Sequence, residues 1–520
     1  MATAKFGAAH SVTSGAHPHS TFASMPVSEL LAAVDLGSNS FRLLIGRVVK
    51  TPAGTQVYPL DSLKETVRLA SGLTREKRLD AESQQRALLA LERFGERLRS
   101  FAPQSVRAVA TNTLRVAKNA RDFLLRAEDA LGFPIEVIAG REEARLIYTG
   151  VVNTTPIFPG RTLVVDIGGG STECIIGEGH EPRLMESLFM GCVSYSLKFF
   201  PDGEIDKHNL KEAELAAQKE LEVIARDYLD AGWQHAIGSS GTARALGEIL
   251  VQNGLATEGI TRDGLASLRE LMLKAGNANR LKLKALKPDR IPVLPGGLAI
   301  MSAVFKMLDL ERVDVSDGAL RQGVLYDLLG RSEHHDMRDA TIEQFTQRYG
   351  VDRAQARRVG RLALDLLRQI VKGDDEASVE IAHRLQWAAM LHEIGLSISH
   401  AAYHKHSAYI LSNADMPGFS KMDQAKVALL ALSHAGKLSK LEGMVDDPSE
   451  WLAVLCLRIA VLVHRRRIDL DVSRLALKVT ARGYALRADP AWLSDHPLTE
   501  FSLRQEVGEW AKLGMVIELT

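Results

Sequence analysis

Ala33-Val-Asp-Leu-Gly-Ser-Asn-Ser-Phe-Arg-Leu-Leu-Ile-Gly46 and Val164-Val-Asp-Ile-Gly-Gly-Gly-Ser-Thr-Glu-Cys-Ile-Ile-Gly177 are two copies of one pattern. Asp35 aligns with Asp166, Gly37 with Gly168 and Ser40 with Ser171. Each copy reads as a short buried strand ending in Asp, a glycine-rich turn and a second apolar strand, which is a β-hairpin signature. A duplicated hairpin implies two lobes of similar build.

Outward from the first hairpin, Asp80 is placed to cap a helix on which Ala87, Leu91, Phe94 and Leu98 form one apolar stripe. A strand at 106–110, a helix at 119–131, a strand at 135–138 and a helix at 142–152 complete an α/β lobe. The second lobe repeats the scheme, with a helix at 210–231, a strand before Gly238-Ser-Ser-Gly-Thr242 and a helix at 264–275. Beyond Gly330 the pattern turns helical. Apolar strands near 475–479 and 515–519 suggest a small α/β cap.

The 520 residues exceed what one hydrophobic core organises, and 46% hydrophobic with 25% charged residues is the composition of a folded chain. Lys plus Arg number 64 and so do Asp plus Glu, so no global positive field draws in a nucleic acid. Any polyanion site must be local. Three widely spaced cysteines, Cys174, Cys192 and Cys456, fit free thiols in a reducing compartment, and a cytoplasmic location is expected. The apolar stretch 451–463 is too short to span a bilayer and carries Arg458, so it reads as a buried helix and no membrane span is expected.

A glycine at a hairpin turn lets backbone N–H groups approach phosphate oxygens, and serine hydroxyls add donors. Ser38, Asn39 and Ser40 of the first turn, and Gly168, Gly169, Gly170 and Ser171 of the second, are the candidate phosphate cradle. Asp35 and Asp166 supply hard oxygens suited to Mg²⁺, a cation that keeps several waters and bridges phosphates. Glu173 shares a strand face with Ser171 by two-residue periodicity and is the third candidate metal residue. Ser240, Gly241 and Thr242 sit where small residues open a helix, whose free N–H groups attract anions.

These hairpins, together with Ala110-Thr-Asn-Thr-Leu-Arg115, Gly140-Arg-Glu-Glu-Ala-Arg-Leu-Ile147 and Gly238-Ser-Ser-Gly-Thr242, resemble the exopolyphosphatase and guanosine pentaphosphate phosphatase family, from about residue 31 to at least residue 440. That family belongs to the actin, hexokinase and Hsp70 ATPase superfamily. The resemblance implies an α/β fold of two actin-like, ribonuclease H-like lobes, followed by an all-α HD-like domain and the α/β cap. The expected divisions are a disordered leader at 1–26, lobe I at 27–150, lobe II at 151–330, the helical domain at 331–470 and the cap at 471–520. By the same resemblance Glu143 is the catalytic glutamate, positioning or deprotonating the attacking water, and Arg115 binds phosphate. Glu142 reads as a structural acid at a helix start.

Within the helical region, His392-Glu393 followed by His406 resembles a degenerate HD-type phosphohydrolase motif, with Glu where a functional site has Asp. The length of this region favours an exopolyphosphatase that trims terminal phosphate from inorganic polyphosphate. The alternatives are a guanosine pentaphosphate 5′-phosphohydrolase and a regulator that binds guanosine penta- or tetraphosphate with little turnover. A sugar or glycerol kinase on the same superfamily fold is an enzyme rival, for whose adenine loop Gly238–Thr242 is a poor match. The resemblance further implies a homodimer.

Overall fold

The computed structural model describes residues 30–51, 54–156, 159–332, 336–373, 375–445 and 447–520; the expected leader at 1–26 lies outside them. Strands β1 (Leu30–Leu36), β2 (Phe41–Thr51), β3 (Gly54–Glu65), β4 (Val106–Ala110) and β5 (Ile135–Val137) form one sheet in the order β3-β2-β1-β4-β5. A second sheet contains β6 (Arg161–Ile167), β7 (Thr172–Glu178), β8 (Glu181–Leu188), β9 (His235–Ser239), β10 (Ile260–Thr261) and β11 (Arg312–Val315), in the order β10-β11-β9-β6-β7-β8. Apart from the short edge strand β10, the two sheets have the same order and the same pattern of two antiparallel and two parallel pairings. The repeat extends to an irregularity. Each sheet shifts register at the glycine that closes the duplicated segment, Gly46 in one and Gly177 in the other. These are the two expected actin-like lobes.

Helices cover the outer faces. Asp80 caps the helix Ala81–Leu98 by accepting from the Ser83 N–H at 2.7 Å, and Ala87, Leu91, Phe94 and Leu98 are fully buried against the first sheet. The inner faces meet across a different pair of helices, Gly140–Val152 and Leu320–Ser332. Residues of both helices share one core with Leu31 and Ala33 of β1 and with Val164 and Ile175 of the second hairpin. Both helices therefore bridge the lobes, and Glu143 and Ile147 of one, with Leu320 and Arg321 of the other, line the same cleft as the hairpin turns.

The described residues from Met337 to Arg466 form helices and their connections, and the chain ends in a three-stranded sheet, β12 (Leu475–Thr480), β13 (Gly483–Ala488) and β14 (Val516–Leu519). Leu477, Leu486 and Ile517 of that sheet pack in the same core as Val359, Leu385 and Val427 of the helices. Arg458 lies in the helix Pro448–Val463 with its guanidinium buried against Glu506 of the terminal segment. Among the described residues, no helix is long and apolar enough to cross a membrane.

Candidate active site

Antiparallel pairing of β1 with β2, and of β6 with β7, brings both Asp-bearing strand ends and both glycine turns to the same end of their sheets. The turns touch. A Cβ on Gly169 would lie 3.1 Å from the Ser38 Cβ and 3.3 Å from the Asn39 nitrogen, and one on Gly191 would strike the Gly169 carbonyl at 2.4 Å. Glycine is required here because two backbones and a third loop converge within contact distance.

Asp35, Ser38, Asn39, Ser40, Glu143, Asp166, Gly168, Gly169, Gly170, Ser171, Ser240, Gly241 and Thr242 all line one cleft between the lobes. Among the described residues the buried Ser40 hydroxyl finds no hydrogen-bond partner, a cost that a ligand oxygen would relieve. Ser38 accepts from the Thr113 hydroxyl at 2.8 Å. Ser240 and Thr242 each donate to the Ile167 carbonyl at 2.9 Å, which ties the helix Ser240–Gln252 to the end of β6. Ser240 holds a φ of 78°, a left-handed conformation that costs a non-glycine residue about 1 to 3 kcal/mol. That strain sits where the helix N-terminus opens onto the cleft.

Arg115 and Glu173 do not line the cleft. Arg115 lies behind Glu143, donating to its carboxylate at 2.6 Å and to the Ile138 carbonyl at 3.1 Å. Glu173 is buried and accepts from the Ser187 hydroxyl at 2.7 Å. In the helical region His392 is buried, its Nδ1 on the Ala389 carbonyl, while Glu393 is paired with Arg467 at 2.6 Å.

Four arginines that the sequence reading did not select complete the lining: Arg42, Arg244, Arg290 and Arg321. Arg42 stands opposite Asp35 in the β1–β2 ladder, the register position that Glu173 occupies opposite Asp166. The two repeats thus carry opposite charges at one site. Two-residue periodicity from Ser40 points to Arg42 just as it points from Ser171 to Glu173. Arg321 comes within 3.9 Å of Asp35, Arg244 pairs with Asp317 at 3.2 Å, and Arg42 and Arg290 make no ion pair among the described residues. Burial first, then Arg321, lowers Arg42 to about 10.

Burial lifts Asp35 to about 6 even though Arg321 and Arg42 oppose it. Burial likewise lifts Asp166 to about 6, against hydrogen bonding from Ser239 and with the help of the Glu143 and Asp35 charges. Glu143 is raised by burial against the pull of Arg115, and Glu173 is raised well above the usual range by burial and by the Glu143 and Asp166 charges. Burial holds all four carboxyls above the ordinary range, and neighbouring carboxylate charge adds to it at Asp35, Asp166 and Glu173. Among the described residues, no group of three or more His, Cys, Asp or Glu forms a metal cage. The donor set suits Mg²⁺, which takes one or two carboxylates and fills its shell with water and phosphate oxygens. Hard oxygens, glycine turns and arginine forks together can hold and polarise a chain of phosphates.

The Ppx/GppA phosphatase family matches residues 47–332, and Ppx/GppA phosphatase, domain III, matches residues 337–507. Guanosine-5′-triphosphate,3′-diphosphate pyrophosphatase of Aeromonas hydrophila is 38% identical over 496 residues, covering 94% of this chain and 98% of that protein. The protein of the same name from Pseudoalteromonas translucida is 39% identical over 494 residues, with the same coverage of both chains. The crystal structure of an exopolyphosphatase from Cytophaga hutchinsonii superposes with a TM-score of 0.52 at 25% identity, covering 58% of this chain and 98% of that one. With both lobes and the helical region matched, this chain belongs to the Ppx/GppA phosphatase family.

Proposed function

We propose that this phosphatase removes the terminal 5′-phosphate of guanosine 5′-triphosphate 3′-diphosphate by direct attack of water. The observation that supports the chemistry is convergence: Asp35, Asp166 and Glu143, from two hairpins and a helix start, line one cleft with both glycine turns. Glu143 accepts a proton from the attacking water as the water oxygen bonds to the terminal phosphorus. The bond from that phosphorus to the bridging oxygen breaks, leaving orthophosphate and the shortened nucleotide. Burial of Glu143 raises its basicity toward the working pH, and Arg115 holds its carboxylate in place. Asp35 and Asp166, with Glu173 behind them, would hold Mg²⁺, which would supply charge neutralisation for the phosphate oxygens. The arginine wall and the turn N–H groups grip the rest of the phosphate chain.

The substrate reading is supported by the relatives named for that nucleotide. The length of the C-terminal region, which favoured polyphosphate, does not discriminate, because those relatives are matched over 98% of their length. A homodimer and an HD-like helical domain belong to the same proposal, and sedimentation of the full chain tests the first. The deciding experiment incubates the protein and Mg²⁺ with guanosine pentaphosphate or with long-chain polyphosphate and follows free phosphate. Release from the nucleotide, with the tetraphosphate as product, is expected. Release from polyphosphate alone would reject the substrate, and binding without release would make the protein a regulator.

A further inference from the structure

Three consecutive residues in the first turn of the helix Gly140–Val152 reach between them lobe II, the helical region and the cleft. The helix start lacks a side-chain cap, since Ala139 occupies that position, so its first turn depends on other contacts for order. Arg141 bonds Glu186 of lobe II and Asp415 of the helical region, the latter at 2.9 Å. Glu143 faces the cleft. Glu142, between them, is 3% exposed, and its carboxylate accepts two bonds from Arg145 at 2.8 Å and one from the Gly418 N–H at 2.8 Å.

Gly418 belongs to the loop that joins two helices of the helical region, and that loop is gripped on several sides. Its carbonyl accepts from Arg331 at 3.2 Å, and the neighbouring Pro417 carbonyl accepts from the Thr341 hydroxyl at 2.7 Å. Gly418 has a φ of 85°, and a Cβ there would lie 2.9 Å from the Arg338 nitrogen. Arg331 in turn pairs with Asp327, which bonds Arg107 at 2.7 Å and also Arg145. A closed polar network therefore joins the helical region to the residue adjoining Glu143.

We propose that Glu142 is a positioning residue, through which docking of the Pro417–Gly418 loop fixes the first turn of the helix and so the geometry of Glu143. The inference rests on the reading of Glu143 as the water-activating group. A carboxylate moved by about 1 Å from its reacting water loses on the order of 100-fold in rate while substrate grip is unaffected. The helical region then acts on turnover at a distance from the phosphate, through one backbone N–H.

The test compares Glu142→Ala, Glu142→Gln and Glu143→Gln in the full chain, measuring kcat, KM and melting temperature with guanosine pentaphosphate. Glu142→Ala is expected to lower kcat by roughly 10-fold or more with KM within about 2-fold, the signature of a lost transition-state contact. Glu142→Gln retains an oxygen acceptor for the Gly418 N–H and should recover part of that loss. Unchanged kcat in Glu142→Ala, or a loss confined to KM, would overturn the inference. If Glu142→Ala does not fold, Thr341→Val removes the hydroxyl that holds the Pro417 carbonyl, and a fall in kcat with KM little changed is expected; unchanged kcat there overturns the inference too. Full turnover in Glu143→Gln would instead remove the reading beneath it, whereas a dead Glu143→Gln beside a fully active Glu142→Ala would sink this inference alone.

Discussion

Glu143 carries the sharpest test at the scale of single residues. Its carboxylate is buried, raised in basicity and held by Arg115 at 2.6 Å. Glu143→Gln preserves size and an acceptor for Arg115 but cannot take a proton, so turnover should fall at least ~100-fold, the usual contribution of a general base, with the melting temperature little changed. Gly241 tests the arginine wall. A Cβ there would lie 2.0 Å from the Arg290 guanidinium, a flexible group that can swing aside, so Gly241→Ala is expected to raise KM several-fold while leaving stability intact. An unchanged KM would remove Arg290 from the substrate grip. Asp35, Asp166 and the turn residues were legible because the chain states them twice, whereas Arg244, Arg290 and Arg321 lie on separate elements of lobe II and beyond and share no local pattern. Arg42 was within reach: the periodicity that selected Glu173 selects it equally.

Secondary structure was legible where a period or a cap was strong. Asp80 and its stripe gave the helix Ala81–Leu98, and the hairpins emerged at their expected positions. Ends were less legible: the strand expected before Gly238 continues through Ser239, and the helix expected from Glu142 begins at Gly140. The first of these reflects parallel pairing of β9 with β6, a tertiary contact that local sequence does not encode. Close packing of the two bridging helices was also invisible, although it joins the lobes. A Cβ on Gly323 would lie 1.7 Å from the Leu146 carbonyl oxygen, and one on Gly150 would lie 2.1 Å from that of Ala319. Backbone on both sides leaves nothing free to swing away. Gly323→Ala should therefore destabilise the protein by about 3 kcal/mol, at the upper end for overpacking, and urea unfolding measures it. A cost near zero would mean that the helices separate freely and that the lobes are not locked there.

At the scale of the whole molecule, the duplicated hairpin made two lobes and a cleft predictable, while the substrate was not, because phosphate chemistry is common to nucleotide and polymer. The cleft's charge has a consequence for stability that does not depend on which substrate is right. Asp35 and Asp166 stand at about 6 in the folded protein, above the value of about 4 in an unfolded chain. Between those values the native state retains protons that the unfolded chain has lost, so their favourable contribution is complete below the unfolded value and disappears as pH rises through 6. Histidines work in the opposite direction over part of the same range. His392, His404 and His434 are lowered by burial, so their contribution is lost as pH falls below the ordinary histidine value. They lie in the helical region, away from the cleft lining, so a change caused by Mg²⁺ at fixed pH separates the two effects. Mg²⁺ held as proposed at Asp35 and Asp166 would replace their protons, so the melting temperature should rise on adding Mg²⁺ more at pH 7.5 than at pH 5. Asp166→Asn should shrink the increment at pH 7.5 while leaving that at pH 5 nearly unchanged. Equal increments at both pH values, or an increment indifferent to Asp166→Asn, would place the divalent cation somewhere other than between the two hairpins.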